Sequence, residues 1–331
     1  MMNDCFLEST NCNLCGADDF KEYLEQTDHR YSETPRDVFK LVKCNKCGLI
    51  YLNPRPTKEY IQKFYPSSFY EPRKLGNKAK EGTLETIAKI FVLPHILKSK
   101  ALQEKISIVE KYHSTNGKIL DIGSCSAKFL SAMKTKGWDV LGIEISKSMC
   151  DYALKTYNIN CINSNVTDLG INDLKDNHFD IITLWATLAH IDDPKQALRL
   201  CHHALKPGGK VIILTSNADS LEEKWFKKID RNPIDIPRHL YHFNTRSMSQ
   251  YFRLTGFSIK EIRYFTLNAS DRLTVILNST INKIPTNNIA IKVVKYSLIN
   301  ISTLCGYMLS MLLCVLKRSH TIVIVGEKAG R

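Results

Sequence analysis

The sequence is short of acidic residues. Its 331 residues include 46 Lys and Arg but only 33 Asp and Glu, which leaves a formal net charge of +13. An excess of this size predicts an anionic partner, such as nucleic acid, a phosphorylated small molecule or membrane headgroups; ordinary solvated lysines are the alternative. The chain also has no arginine-rich tract with interleaved aromatic residues, a pattern typical of proteins that bind single-stranded nucleic acid. We therefore do not expect nucleic acid to be the partner.

An apolar leader is also missing from the first residues. The opening stretch, MMNDCFLEST, is short, polar and acidic, unlike a segment that directs secretion. Eleven cysteines are spread along the chain, and a reducing cytoplasm would keep them out of disulfides. We therefore expect a cytoplasmic protein. A hydrophobic content of 44% is ample for a globular core in a chain of this length.

Four cysteines have the spacing of a metal site. Cys12 and Cys15 form one CxxC pair, Cys44 and Cys47 form a second, and 28 residues separate the two pairs. Each pair can direct two thiolates at one ion, and zinc takes four such ligands in a tetrahedron. Gly48 suits the left-handed turn of a zinc ribbon. The spacing favours a structural zinc; disulfides and four unrelated buried thiols are the alternatives.

Seven apolar segments predict β-strands, and helical patterns lie between the first five. The LKPGG sequence predicts a turn that closes the helix before the fifth strand. Strands that alternate with helices at this spacing predict a doubly wound α/β sheet with helices on both faces. The predicted strands lie at 118–123, 138–146, within 161–169, at the start of 178–191, and at 210–217, 257–265 and 320–328.

The ends of the first two predicted strands indicate where a ligand binds. In a doubly wound sheet the ligand lies across the carboxyl ends of the central strands. Asp121 and Gly123 end the first strand, and a glycine there lets the backbone approach a ligand closely. Glu144 ends the second strand, where its carboxylate can accept hydrogen bonds from two ribose hydroxyls. The same arrangement of a glycine turn and an acidic residue would bind NAD equally well. The spacing alone therefore indicates a cofactor with a nucleoside group but does not identify it.

Several segments in succession resemble one enzyme family. LDIGSCSAKFL, GIEIS, FDIITLWATLAHIDDP and LKPGGKVIILTSN resemble class I S-adenosylmethionine-dependent methyltransferases over residues 118–265 and the terminal strand. More narrowly, CNLCG, KCNKCGLIYLNPRP, KFYPSSFY and PRHLYHFN are similar to zinc-ribbon methyltransferases of bacterial sugar and surface-polysaccharide biosynthesis. The resemblance implies a Rossmann-like seven-stranded sheet, S-adenosylmethionine as cofactor, and a nucleotide sugar or lipid-linked glycan as acceptor.

The resemblance also implies a set of cofactor-binding residues. Cys125 and Ala127 stand where the family usually has glycines, so two side chains enter a loop that is normally bare. We expect cofactor binding to be retained, because a thiol is small. Asp121 and Gly123 would bracket the methionine end of the cofactor, and Glu144 would hold the ribose. Ile145 would pack on the adenine, Asn165 and Val166 would contact the adenine edge, and Trp185 would line the pocket.

Imidazoles on the predicted acceptor side are the candidate catalytic groups. Methyl transfer is an in-line displacement that needs alignment and exclusion of water, and a base only for a hydroxyl or acidic acceptor. His190 follows the fourth strand, where the family often reads Glu-His but this chain has Ala189. His239 lies in PRHLYHFN, a loop expected to reach over the acceptor. We predict that His190 or His239 is the base and that Tyr241 orients the acceptor.

A long uncharged segment precedes the last predicted strand. Residues 296–316 carry no charge and are flanked by Lys295 and by Lys317 and Arg318. The segment is long enough to cross a bilayer, yet the last strand must return to the same sheet three residues later, which argues against a single crossing. We predict a helix pair over 273–316 at a membrane surface, with lysines toward anionic headgroups. A buried insertion or a dimer interface is the alternative.

These patterns divide the chain into a zinc ribbon (1–53), a basic helical linker (54–116), a Rossmann-like domain (117–270 and 319–331) and an apolar, basic helical insertion (271–318). They predict a cytoplasmic methyltransferase with a small-molecule acceptor and peripheral contact with the inner face of the plasma membrane. An RNA methyltransferase is one alternative, although LWATLAHI stands where an Asn/Asp-Pro-Pro-aromatic motif would serve base amines. A non-catalytic binding scaffold is the other, indicated only by Cys125 and Ala189.

Overall fold

The fold is known from a computed structural model of the chain. It describes residues 6–28, 30–31, 33–66, 69, 93–113, 116–226, 235–265, 272–285 and 289–330. Residues 70–92, which make up much of the predicted basic linker, and three residues of the KFYPSSFY motif lie outside the described residues.

The N-terminal cysteines lie on a small antiparallel unit. β1 (Leu7–Glu8) pairs with β5 (Arg55–Pro56). β2 (Phe20–Thr27), β3 (Val38–Cys44) and β4 (Ile50–Leu52) form a second sheet with β3 between the other two. Gly48 has a φ of +81°, a left-handed conformation that glycine adopts without steric cost. The turn predicted after the second CxxC pair is therefore present.

Two helices link this unit to the central sheet. α1 (Lys58–Ile61) begins at Thr57, whose hydroxyl accepts a hydrogen bond from the Tyr60 amide at 3.3 Å, as N-cap side chains do. A single 3₁₀ turn follows, at Gln62–Phe64. α2 (Leu93–Tyr112) then leads into the sheet.

A seven-stranded sheet forms the middle of the molecule, as predicted. Its strands are β6 (Lys118–Ile122), β7 (Asp139–Glu144), β8 (Cys161–Asn163), β9 (Phe179–Trp185), β10 (Leu205–Ser216), β12 (Phe257–Phe265) and β13 (Thr321–Lys328). Their order is β12-β13-β10-β9-β6-β7-β8. β6 to β10 run parallel, and β13 lies antiparallel between β10 and β12. Successive strands are thus added on one side of β6 up to β8, and from β9 onward on its other side. Such sheets bind ligands at this reversal of strand order, between β6 and β9.

Helices cover both faces of the sheet and begin at polar caps. The Ser146 and Asp193 side chains accept hydrogen bonds from the amides of Met149 and Gln196, at 3.4 Å and 3.0 Å. These bonds satisfy amides that have no partner inside the helix. The helices are α3 (Lys128–Thr135), α4 (Lys147–Tyr157), α5 (Pro194–Ala204), α6 (Leu221–Phe226) and α7 (Thr245–Leu254).

The LKPGG sequence lies inside a strand instead of forming a separate turn. β10 begins at Leu205, which pairs with Phe179, and regular pairing resumes only at Lys210 with Ile181. Between them Gly208 has a φ of +78°, so the chain bulges away from β9 and returns. The prediction of a turn before the strand was therefore wrong in its boundary, because the glycines absorb the irregularity within the ladder.

The N-terminal unit and the central sheet share one hydrophobic core. β11 (Tyr241–His242), far along the chain, pairs with β4 and extends the N-terminal sheet to four strands. Buried Leu14, Phe39 and Cys44 belong to the same packed cluster as Ile122 and Leu184 of the central sheet. Packing of this kind holds the two parts in a fixed arrangement.

A helical hairpin occupies the predicted apolar insertion. α8 (Arg272–Ile281) and α9 (Ile289–Val315) lie between β12 and β13. By length and composition Val293–Val315 is sufficient to cross a membrane, and 28% of its most apolar window is buried in the protein. The alternative of a buried insertion was therefore wrong.

Candidate functional site

A cavity of about 740 Å³ opens at the carboxyl ends of β6, β7 and β9. The N-terminal unit forms its facing wall, with Pro56, Ile61, Tyr65 and Phe69. Seven of the ten predicted cofactor-binding and catalytic residues line it: Gly123, Glu144, Ile145, Asn165, Val166, Trp185 and His190. Of the other predicted residues, Asp121, His239 and Tyr241 are absent from the lining that the described residues form.

Gly123 brings bare backbone to the cavity edge. Its φ is +75°, and a Cβ at this position would collide with the hydroxyl and methyl groups of Thr187. The amide of Gly123 donates to the Ile143 carbonyl at 2.8 Å, which fixes the loop beside β7. Only glycine fits both the conformation and the space.

Glu144 is held in place by backbone amides at the end of β7. The Cys125 amide donates to Oε2 at 2.8 Å, and the Ser146 amide donates to Oε1 at 2.9 Å. Burial raises the pKa of Glu144, while these amides lower it. The carboxylate is thus fixed at the cavity wall and keeps lone pairs for further donors.

The two departures from the family's glycines have left-handed backbone. Cys125 and Ala127 have φ values of +50° and +54°, a conformation that costs a side-chain-bearing residue about 1–2 kcal/mol. Ala127 is fully buried, whereas Cys125 is exposed and lines the cavity. The loop therefore keeps the shape that glycines would give it, and only the Cys125 thiol reaches the cavity.

Asp121 lies behind the cavity wall. Thr183 Oγ1 donates to its Oδ1 at 2.7 Å, and burial raises the pKa of Asp121 to about 7. The Lys105 ammonium interacts favourably with this carboxyl group and lies 5.1 Å from the centre of the Trp185 ring. Nothing in the sequence distinguished Lys105 from the other lysines of its segment.

Trp185 presents an unused donor at the same place. Its side chain lines the cavity and is 9% exposed. Within the described part of the chain its buried indole N–H has no hydrogen-bond partner. Buried donors are normally satisfied, so this N–H is suited to a bound ligand.

His190 stands where the cofactor wall meets the N-terminal unit. Its Nδ1 lies 3.0 Å from the backbone oxygen of Arg238 and 3.0 Å from the Tyr65 hydroxyl. A carbonyl only accepts, so the bond to Arg238 requires the proton on Nδ1 and leaves Nε2 as an acceptor. Burial, followed by the neighbouring His239, lowers the pKa of His190 to about 3. The imidazole is therefore neutral at neutral pH.

His239 packs behind His190. The two ring centres are 4.5 Å apart, and His239 Nε2 lies 4.0 Å from Asp235 Oδ2. Burial lowers the pKa of His239 to about 4, although Asp235 opposes the shift. Since it is outside the cavity lining, His239 can support His190 but does not face the cavity.

A buried ionic network fixes this histidine pair to the N-terminal unit. Arg238 is 1% exposed and donates to both oxygens of Asp28, at 2.7 Å and 2.9 Å. Its Nε donates to Asp235 at 2.7 Å, and its Nη1 donates to the Phe64 carbonyl at 2.8 Å. Arg30 pairs with the other Asp235 oxygen at 2.5 Å. The network ties residues before and after the central strands into one wall.

A metal ion is disfavoured at the histidine pair. His190, Asp235 and His239 offer ligand atoms within 4.8 Å of one another. Both Asp235 oxygens, however, are bound by guanidinium groups. Despite burial, His239 and then these two guanidinium groups hold the pKa of Asp235 well below its usual value. The guanidinium groups would also repel a metal cation.

Tyr241 supports the site from behind. Its hydroxyl donates to the Asp192 backbone oxygen at 2.9 Å, and its side chain is 4% exposed. Asp192 itself lines the cavity. Tyr241 thus acts on the cavity through Asp192, and not by contact with an acceptor as predicted.

The four ribbon cysteines converge on one point. Cys12 Sγ lies 3.4 Å from Cys47 Sγ, and Cys15 Sγ lies 3.5 Å from Cys44 Sγ. All four sulfur atoms lie within 4.8 Å of one another. Disulfide sulfurs would be about 2.05 Å apart, whereas a zinc tetrahedron with bonds of about 2.3 Å has edges of about 3.8 Å. The spacing fits a four-thiolate metal centre and not disulfides.

The charged groups on the acceptor side of the cavity are already paired. Arg55 binds Glu8 at 2.7 Å and donates to the Asp192 carbonyl at 2.9 Å. Lys58 lies 2.8 Å from Asp168 and 3.5 Å from Asp192. This rim therefore has no excess of positive charge from these two cations.

Comparison with known proteins places the chain in a family. The family described as a methyltransferase domain matches residues 95–262, just over half of the chain. The chain belongs to this family. The candidate cofactor site, with Gly123, Glu144 and Trp185, lies within the matched residues. It is carried by the seven-stranded sheet that the sequence predicted.

Individual relatives cover parts of this methyltransferase. The ubiquinone biosynthesis O-methyltransferase of Coxiella burnetii is 31% identical over 117 residues, which cover 34% of this chain and 50% of that protein. A protein of the same name from Pseudomonas fluorescens is 26% identical over 174 residues, covering 49% and 73%. The chain thus spans about half the length of the first curated relatives it matches. A solved S-adenosylmethionine-dependent methyltransferase from Archaeoglobus fulgidus is 20% identical, with a TM-score of 0.47, over 69% of this chain and 94% of its own.

The residues of the site fit the cofactor of this family. S-adenosylmethionine offers ribose hydroxyls for Glu144 and acceptor atoms for the indole N–H of Trp185, and Gly123 leaves room for its close approach. The methyltransferase also holds residues that sequence reasoning missed: Tyr65 and Asp235 beside the histidines. Tyr65 belongs to the KFYPSSFY motif, which was recognised only as a resemblance, and Asp235 had no signal of its own.

Proposed function

We propose that the methyltransferase transfers a methyl group to a hydroxyl oxygen of a small-molecule acceptor, with His190 as the base. S-adenosylmethionine supplies an electrophilic methyl group on a sulfonium. With that cofactor bound, an acceptor hydroxyl oxygen would take the methyl group in exchange for the carbon–sulfur bond, and His190 Nε2 would accept the hydroxyl proton. The observation that carries this proposal is the 3.0 Å distance from His190 Nδ1 to the Arg238 carbonyl oxygen, in a residue that lines the cavity. This contact places the ring proton on Nδ1 and leaves Nε2 as an acceptor.

The acceptor wall supports a ring-bearing, weakly charged acceptor. Pro56, Tyr65 and Phe69 give this wall apolar and aromatic surface, which packs against the faces of rings. The paired state of Arg55 and Lys58 disfavours a free diphosphate in the cavity. Of the two acceptor classes implied by the sequence motifs, the proposal therefore takes a lipid-linked glycan of surface-polysaccharide biosynthesis before a nucleotide sugar. The names of the curated relatives, which are O-methyltransferases, support oxygen as the accepting atom.

We further propose that the four-cysteine centre holds a structural zinc. The convergence of the sulfurs supports it. No acceptor group reaches the sulfurs, since the four cysteines do not line the cavity that the described residues form. The zinc would stabilise the unit that carries the acceptor wall. A cytoplasmic location at the inner face of the plasma membrane belongs to the same proposal.

Labelled S-adenosylmethionine tests the acceptor class. The purified chain is incubated separately with a solvent extract of bacterial lipids, with bacterial sugar nucleotides and with total RNA. The proposal expects label in the lipid fraction, as a methyl ether released on a sugar after hydrolysis and identified by mass spectrometry. Label in RNA, or on nitrogen or carbon in any fraction, would refute it.

A further inference from the structure

The exposed face of α9 is mostly apolar, with Ser297 also exposed on it. Its members recur every three or four residues, so they share one side of the helix. At about 1.5 Å per residue the surface is roughly 35 Å long. We call it the apolar ridge. It consists of nine side chains of α9 and of Leu316, which directly follows the helix, each 38–80% exposed: Val293, Val294, Leu298, Ile301, Leu304, Met308, Met311, Leu312, Val315 and Leu316.

Three polar side chains in the C-terminal half of α9 face inward. Ser302, Thr303 and Ser310 are 5%, 1% and 6% exposed. Ser302 Oγ donates to Asn278 Oδ1 of α8 at 2.6 Å, and Thr303 Oγ1 donates to the Ile299 carbonyl at 2.7 Å. A helix on a protein surface in water normally buries its apolar side and exposes its polar side. This part of α9 has the reverse arrangement, which suits an apolar medium outside it.

The hairpin carries only positive charge. Residues 272–318 contain six Lys and Arg and no Asp or Glu. Lys295 stands toward one end of the apolar ridge, and Lys317 and Arg318 follow its other end. A surface of negative charge over an apolar interior complements this pattern, and an anionic bilayer is such a surface.

The hairpin lies at the same edge of the sheet as the cofactor site. β12 ends at Phe265 and β13 begins at Thr321, and these two residues pair with each other. Thr321 also pairs with Ser216, the last residue of β10, so α8 and α9 leave the sheet at the carboxyl ends of the parallel strands. Gly123 follows β6, three strands away from β13, a lateral distance of about 14 Å.

We propose that the apolar ridge binds the enzyme to an anionic bilayer, with the carboxyl ends of the parallel strands toward the membrane. A lipid-linked acceptor in that bilayer could then enter the cavity. This inference rests on the proposed function for the identity of the acceptor. A single crossing does not fit, because both ends of the hairpin return to adjacent strands at one edge of the sheet.

A second copy of the chain fits the ridge less well than a bilayer does. Two ridges packed antiparallel would bring Lys317 and Arg318 of one copy toward Lys295 of the other, and parallel packing would oppose identical cations. The hairpin has no acidic residue between 272 and 318 to compensate. Like charges that face each other across an interface are repulsive.

Vesicle flotation of the full chain tests the proposal. The probes are vesicles of phosphatidylcholine alone and of phosphatidylcholine with phosphatidylglycerol. The ridge variant is Leu304→Glu with Met308→Glu, side chains that are 51% and 60% exposed. The matched control is Leu154→Glu with Leu254→Glu, each 50% exposed but on α4 and α7. Calorimetry of S-adenosylmethionine and sedimentation accompany each protein.

The unmodified chain and the control should float with the anionic vesicles, and the ridge variant should partition at least about tenfold more weakly. Lys317→Gln and Arg318→Gln should each weaken anionic binding by about fivefold. Equal flotation of the ridge variant, or no flotation of the unmodified chain, overturns the proposal. The proposal is also overturned if the unmodified chain is a dimer, the ridge variant is a monomer and neither protein floats with the vesicles. Loss of cofactor binding or of methyl transfer would instead count against the proposed function, since flotation does not depend on either.

Discussion

His190 joins the two walls of the cavity through a single imidazole. Its Nδ1 lies 3.0 Å from the Tyr65 hydroxyl and 3.0 Å from the Arg238 carbonyl oxygen. In the sequence, Tyr65 precedes the parallel strands and Arg238 follows them. Tautomer and orientation are therefore set before any acceptor enters. Sequence reasoning named His190 and His239 equally, because a histidine in a loop does not reveal which way its ring faces. The packing of His239 against Asp235 separates their roles.

His190→Gln should lower kcat by about a hundredfold or more, since it removes the base, and should leave the affinity for S-adenosylmethionine unchanged. Because the pKa of His190 is lowered to about 3, activity of the unmodified enzyme should show no acid limb near pH 6.5. Steady-state assays with the identified acceptor measure both. His203→Gln, on α5 beside Asp176, is the control and should retain full activity. Unaltered turnover in His190→Gln would remove it from the mechanism.

Gly123→Ala should weaken binding of S-adenosylmethionine by at least about tenfold, because the new methyl group must displace Thr187 at a place where the backbone approaches the ligand. Gly208→Ala is the matched control. Gly208 has nearly the same φ, +78° against +75°, but nothing lies within 4 Å of an added Cβ. It should lose about 1 kcal/mol of stability and no affinity. Calorimetry and urea unfolding separate the two effects.

At the scale of elements, the ribbon is tied to catalysis through β11. This two-residue strand pairs with β4, which follows the second CxxC pair. The loop before β11 carries Arg238 and His239. The four-cysteine cluster thus lies next to the sheet that carries the histidine pair. In the proposed function, a zinc held there would act structurally, through this shared sheet.

Cys44→Ser should release the metal, lower the melting temperature and reduce turnover by about a hundredfold, while cofactor affinity changes by less than about tenfold, because Glu144 and Trp185 are held by the central sheet. Metal content by mass spectrometry, thermal unfolding and calorimetry measure these effects. Cys201→Ser, at a fully buried thiol on α5, should keep its metal. Parallel loss of cofactor binding in Cys44→Ser would show that ribbon and sheet fold as one unit.

The sequence predicted the strands of the central sheet well, because each is a short apolar run followed by a turn residue or a capped helix. It could not predict β11, whose two residues have no pattern of their own and form a strand only because β4 lies beside them. The bulge at Gly208 was also missed, since Pro-Gly-Gly is compatible with a turn and with an interrupted ladder. The Arg238 network was missed because its partner Asp28 is 210 residues away.

For the whole molecule, the buried histidines make stability depend on pH. The pKa values of His190 and His239 fall from 6.5 to about 3 and about 4 on folding. The unfolded chain therefore takes up protons first as the pH falls below 6.5. The free energy of unfolding declines from there down to about pH 4 for the His239 contribution and about pH 3 for the His190 contribution. Each histidine contributes at most about 1.4 kcal/mol per pH unit.

Urea unfolding at pH 7.5 and pH 5 measures this decline. The double variant His190→Gln with His239→Gln should lose less stability between these two values than the unmodified chain does. The lowered pKa values of Asp28 and Asp235 add a further loss only below about pH 4. An equal decline in both proteins would place the titrating groups elsewhere.

Calorimetric titration of S-adenosylmethionine into the full chain decides whether the cavity is the cofactor site of a working methyltransferase. We expect one binding site per chain and an affinity at least about tenfold lower for Glu144→Gln, which loses the carboxylate that the ribose hydroxyls would meet. No detectable binding by the unmodified chain, or equal binding by Glu144→Gln, would contradict the assignment of this cavity.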